Sequence, residues 1–113
     1  MQQIEDNMSY MKDFEVLNED EKILVANAAE MISKDIKIPC TGCSYCTDGC
    51  PMSIAIPTYF DCYNKDDKAA YEEVSVSFGK ASECIGCGQC ESVCPQHLSI
   101  IELLKDVSEA FEK

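Results

Sequence analysis

The chain predicts an all-α fold whose two halves are related by a pseudo-twofold axis, each half carrying one four-cysteine motif. Three observations lead there. The run from Cys40 through Cys43, Cys46 and Cys50 to Pro51 has the spacing C-x2-C-x2-C-x3-C-P, and it returns with every gap kept at Cys84, Cys87, Cys90, Cys94 and Pro95. The offset of 44 residues also carries Gly42 onto Gly86 and Ile56 onto Ile100. Between and around the motifs, apolar residues recur at helical spacing, and few runs alternate apolar with polar residues as half-buried strands do.

This spacing is the bacterial-type ligand pattern for [4Fe-4S] cubanes. A cubane needs four soft thiolates, and a C-x2-C-x2-C loop curls around one corner so that three of them converge. The fourth comes from elsewhere. In two-cluster ferredoxins the last Cys of each run ligates the other cluster. Two [4Fe-4S] clusters are therefore expected, the first on Cys40, Cys43, Cys46 and Cys94, the second on Cys84, Cys87, Cys90 and Cys50. Gly42, Gly86 and Gly88 suit the tight wrap because glycine accepts a left-handed backbone. Pro51 and Pro95 turn the chain away after the last ligand.

Three other readings of the cysteines compete. Disulfides fit poorly with nine Cys, an odd count, and with a start, Met1-Gln2-Gln3-Ile4-Glu5-Asp6, that has neither the basic nor the apolar part of a secretory signal. Structural zinc takes two separated C-x2-C knuckles, and a third Cys two residues on is surplus to it. A degenerate protein with one working cluster would not need all eight ligand positions filled.

A chain of 113 residues makes one domain or one compact unit with a short tail, and its apolar core alone is small, so bound metal is expected to help hold it. Acidic residues outnumber basic ones 21 to 9, for a formal net charge of −12. Two oxidised clusters with their thiolates, roughly −2 each, would bring this to about −16. Such a surface repels nucleic acid and anionic membrane and suits a partner with a basic patch, or serves solubility alone. No apolar run approaches the length of a membrane span. Reduced thiol chemistry and the missing signal point to a cytoplasmic location.

In chain order, residues 1–35 read as an N-terminal helical segment and 36–113 as the cluster-binding domain. Ile4, Met8, Met11 and Phe14 mark a short amphipathic helix. Asn18 and Glu21 form a capping box that opens a second helix to about Ser33, and its apolar face, Leu24, Val25, Ala28, Ala29, Met31 and Ile32, reads as core. Ile36 and Ile38 lead in extended form into Pro39 and the first ligand. After the first motif, Pro57 starts a helix over Thr58 to Tyr63 that ends near Asn64 and carries the ninth thiol, Cys62, as a buried apolar side chain. A polar break at residues 64–67 separates it from a helix over Lys68 to about Val76. Ser99 and Glu102 form a second capping box, opening a helix to about Phe111 whose buried face is Ile100, Leu104, Val107 and Phe111.

Helices that separate and flank the motifs make the chain similar to an α-helical ferredoxin. Three stretches carry a narrower resemblance: residues 38–46; Cys50-Pro51 with Ile54-Ala55-Ile56-Pro57; and residues 81–97 from Ala81-Ser82-Glu83-Cys84 to Cys94-Pro95-Gln96-His97. They resemble the C-terminal iron–sulfur domain of a family of aldo/keto reductases, in which a (β/α)8 reductase barrel precedes an α-helical domain with two ferredoxin-type motifs. Residues 5–10 are similar to the segment that leaves the barrel. The resemblance implies the same eight cysteine ligands and a fused or docked reductase barrel as redox partner. The barrel, with its catalytic Tyr, Lys, Asp and His, is absent from this chain, which is thus a detached domain, a fragment or a stand-alone relative.

The expected function is one-electron transfer through the two clusters, with no catalytic residues of the chain's own, since no open metal position, activated nucleophile or phosphate-binding loop is visible. The alternatives are a structural or redox-sensing module that folds and docks a partner without carrying electrons. Tyr45, between two ligands, is expected to shield its cluster from water, and His97 to cap or pack before Ser99, or to hydrogen bond to a cluster sulfur.

Overall fold

The structure, a computed structural model, describes residues 1–113 and has no named strand. Seven α-helices follow in order: α1 Gln2–Lys12, α2 Glu19–Lys34, α3 Tyr45–Asp48, α4 Ile56–Lys65, α5 Lys68–Ser75, α6 Gln89–Ser92 and α7 Ile100–Phe111, with a 3-10 turn at Ala81–Glu83. One isolated parallel bridge joins Ile54 to Gly79. No helix is long and apolar enough to cross a membrane. The chain divides into two compact units, Met1–Ser33 and Lys34–Lys113.

In the first unit the start of α2 forms as the sequence implies. The Asn18 amide donates to Glu21 Oε2 at 2.9 Å, and the Glu21 amide donates to Asn18 Oδ1 at 2.9 Å. This reciprocal pair satisfies two of the donors that a helix N-terminus leaves open. The core expected of α2 is a different matter. None of its residues is buried, and Leu24, Val25, Met31 and Ile32 are between 56% and 69% exposed; Ala28 and Ala29 are exposed too. Helical periodicity identifies which face is apolar, but not what covers it, and a unit of two helices has too little chain to enclose an interior.

The second unit has a true core. The loop residues Ile38 and Ile54 join Ile56, Tyr59 and Phe60 of α4, Tyr71 of α5, and Ile100, Leu104, Val107 and Phe111 of α7, all nearly inaccessible to solvent. Tyr59 and Tyr71 pack as tilted rings with centroids 4.6 Å apart, and Phe111 meets Tyr71 at 5.2 Å, so α4, α5 and α7 are joined through aromatic contacts. Helix α7 shows the expected spacing in full, since every residue of its i, i+4, i+7, i+11 face is buried. Its cap differs from expectation. Ser99 makes no side-chain cap bond; the Ile101 amide donates instead to Glu91 Oε1 on α6, at 2.9 Å. A carboxylate brought in by tertiary structure satisfies a first-turn donor of α7, and it ties the second cysteine motif to the helix that follows.

The polar break between α4 and α5 is narrower than residues 64–67. Asn64 and Lys65 stay helical; Asp66 takes a left-handed conformation at φ 56°, and Asp67 caps α5 by accepting from the Ala70 amide at 3.0 Å.

Candidate metal centres

Each cysteine motif folds as a loop running into one short helical turn, α3 or α6. The loops share a backbone trace. Gly42 and Gly86 lie at φ 71° and 68°, Ser44 and Gly88 at φ 66° and 75°, and Ser53 and His97 at φ 53° and 52°. The hydrogen bonds repeat as well: Ser53 N to Cys50 O and His97 N to Cys94 O, both 3.1 Å, then Ile56 N to Ile54 O and Ile100 N to Leu98 O, both 2.9 Å. Cysteine burial follows the same symmetry. Cys46 and Cys90 are buried, Cys40, Cys84, Cys50 and Cys94 are half-buried, and Cys43 and Cys87 are exposed.

Two shallow hollows are edged by the eight motif cysteines. The first is lined by Cys40, Cys43, Cys46 and Cys94, backed by Ile56, Phe60, Leu98 and Ile100. The second is lined by Cys50, Cys84, Cys87 and Cys90, backed by Met52, Ile54, Ile56 and Leu104. No charged side chain lines either one. The structure thus brings the last cysteine of each motif to the other motif's loop.

The donor set is sulfur alone against apolar walls, which suits soft metals and iron–sulfur clusters over hard cations. No three of the Cys, His, Asp and Glu side chains are close enough together to hold one ion. Four thiols line each hollow, the number that a [4Fe-4S] cubane takes. Burial pushes the Cys46 thiol up to about 11, with the neighbouring thiols of Cys40, Cys43 and Cys90 adding to it against a backbone hydrogen bond; burial raises Cys90 too. Both are protonated at neutral pH in the absence of metal, so loading has to displace their protons.

Two expected roles change. Tyr45 is 65% exposed and lines neither hollow, whose apolar lining is instead Phe60 and the isoleucines. His97 is exposed and acts through its backbone, as the left-handed residue of the turn after Cys94. Cys62 is buried, lines neither hollow and has its thiol raised by burial, which marks an inert apolar side chain. Sequence reasoning missed Ser44, which occupies a left-handed position where the second motif has Gly88; the 44-residue offset would have flagged it.

Helices carrying two cysteine-edged apolar hollows define a ferredoxin-type iron–sulfur domain. A family model described as 4Fe-4S dicluster domain matches residues 39–99, more than half of the chain, and the protein belongs to that family. No curated protein and no solved structure matches it.

Proposed function

We propose that the protein transfers single electrons through two [4Fe-4S] clusters, one in each hollow, ligated by Cys40, Cys43, Cys46 and Cys94 and by Cys84, Cys87, Cys90 and Cys50. The observation that carries this reading is the sorting of the eight thiols into two sets of four, each completed by a cysteine from the other motif. When bound, the clusters supply reversible one-electron chemistry. The chain supplies the rest. Ile56 lines both hollows and forms a common apolar wall, while Phe60 and Leu104 exclude water on opposite sides. Cys43 and Cys87 are the exposed ligands, so each site has one thin edge toward solvent through which a redox partner can approach.

The net charge of −12 favours a partner with a basic docking surface, since opposite fields speed encounter. An aldo/keto reductase-type (β/α)8 barrel, fused or docked, is the partner the motif resemblance suggests, in a cytoplasmic setting.

Anaerobic reconstitution tests the reading. About eight iron and eight sulfide per chain are expected, with a broad visible absorption that a strong reductant bleaches and mild oxidation restores. About four iron would leave one cluster, stoichiometric zinc would remove both, and absorption that never bleaches would leave a structural role.

A further inference from the structure

Both cysteine loops are entered through a residue whose backbone is gripped by a distant side chain. Ile38, two residues before Cys40, donates its amide to Asn64 Oδ1 at 2.7 Å and accepts from Asn64 Nδ2 at 2.8 Å. Ser82, two residues before Cys84, donates its amide to Glu112 Oε1 at 3.0 Å and its hydroxyl to Glu112 Oε2. Asn64 sits in the last turn of α4 and Glu112 caps α7. These are the helices that follow the first and second motifs. Each half of the molecule therefore closes on itself at the same place, 38 and 82 being 44 residues apart.

The two closures differ in chemistry. Asn64 is a neutral amide that both accepts and donates. Glu112 is a carboxylate that only accepts, and a third donor reaches it: Tyr71 Oη at 2.5 Å, which itself accepts from the Ala81 amide at 3.0 Å. Hydrogen bonds to a carboxylate are stronger than those between neutral groups. The Glu112 grip thus fixes Ala81 and Ser82 together, one residue short of Cys84. Neither Asn64 nor Glu112 lines a hollow, so both act through the backbone they hold.

We propose that Asn64 and Glu112 are positioning residues, each governing how firmly the loop it closes retains its own cluster, independently of the other. This rests on the two-cluster reading above. With its backbone entry fixed, Cys40 or Cys84 stays aimed at its hollow; with the entry freed, that cysteine is the first to swing away, and one site opens before the other.

The test follows iron release from loaded protein to a ferrous chelator, with freed thiols alkylated at intervals and mapped by mass spectrometry. E112A should hasten labelling of Cys84, Cys87, Cys90 and Cys50 on the order of tenfold, the effect of losing hydrogen bonds to a charged group, and leave the other set near the wild-type rate. N64A should do the converse. E112Q, which keeps an oxygen for Ser82 and Tyr71, should recover most of the retention, and S82A, a surface change, should show a weaker form of the E112A pattern without endangering the fold. Equal acceleration of both sets in E112A and S82A, or of neither, overturns the proposal while leaving the two-cluster reading intact. A wild-type protein that takes up no iron overturns both.

Discussion

Ile56 and Ile100 open α4 and α7 at equivalent positions, each 1% exposed, yet Ile56 lines both hollows and Ile100 only the first. The pseudo-twofold relation is therefore imperfect where the two sites meet. Removing the Ile56 side chain opens a void against both sites, at a cost of about 2–5 kcal/mol. Ile56→Ala should speed loss of the visible absorption in air over its whole amplitude, whereas Ile100→Ala should speed mainly the half that belongs to the first hollow. Identical decay curves for the two variants would contradict the shared-wall role of Ile56.

Gly79 and Gly86 pose different constraints on a side chain. A Cβ at Gly79 would overlap the Met52 carbonyl oxygen and lie 3.2 Å from its carbon, at the point where the parallel bridge to Ile54 holds the chain and the Gly79 amide donates to Ser53 O at 3.2 Å. At Gly86 nothing lies within 4 Å, and only the left-handed φ of 68° opposes substitution. Gly79→Ala should cost about 3 kcal/mol through displacement of rigid backbone. Gly86→Ala should cost about 1–2 kcal/mol. Urea unfolding midpoints of the equally loaded proteins would rank them, and a milder effect at Gly79 would contradict the close approach.

Tyr59 holds the same region from the core side. Its hydroxyl donates to Gly79 O at 2.8 Å, and burial pushes its ionisation up to about 12, with the charge of Glu112 and the neighbouring Cys62 and Glu83 adding to the effect. Tyr71 is raised further for the same first reason, its burial. Unfolded tyrosine ionises near pH 10. The folded state thus keeps protons that the unfolded chain gives up, so this contribution is complete below about pH 10 and is lost as pH rises toward 12. Helical circular dichroism should fall over that window. Tyr59→Phe should lower stability by about 1 kcal/mol at neutral pH and make the alkaline decline shallower; an equally steep decline in the variant would count against a buried, proton-holding Tyr59.

The residues that sequence reasoning placed correctly are those whose role is set within a few neighbours. The left-handed turns at Gly42, Gly86 and Gly88 follow from the missing side chain, and the span of α7 from its periodicity. What could not be read comes from elsewhere in space. Glu91 satisfies an amide at the start of α7 from ten residues away, and Asn64 and Glu112 reach backbone 26 and 30 residues away. The apolar face of α2 was legible as a face, but being apolar says nothing of being covered. Tyr45 was placed by its sequence neighbours, while the short α3 turn points it outward.

The last cysteine of each motif lines the other motif's hollow, which makes a sharp prediction about damage. Cys94 completes the set in the first hollow and Cys50 the set in the second, although each is covalently closer to the other loop. Serine offers a harder oxygen donor that iron–sulfur clusters accept poorly. In Cys94→Ser protein, reconstitution should therefore leave Cys40, Cys43 and Cys46 open to alkylation and protect Cys84, Cys87 and Cys90. Cys50→Ser should reverse the pattern. If each motif instead held a cluster with its own four thiols, Cys94→Ser would expose Cys84, Cys87 and Cys90. Because each exchanged thiol would, on the proposed two-cluster reading, also tie one half of the unit to the other through its cluster, both variants should unfold at lower urea than the wild type, even with the remaining site fully loaded.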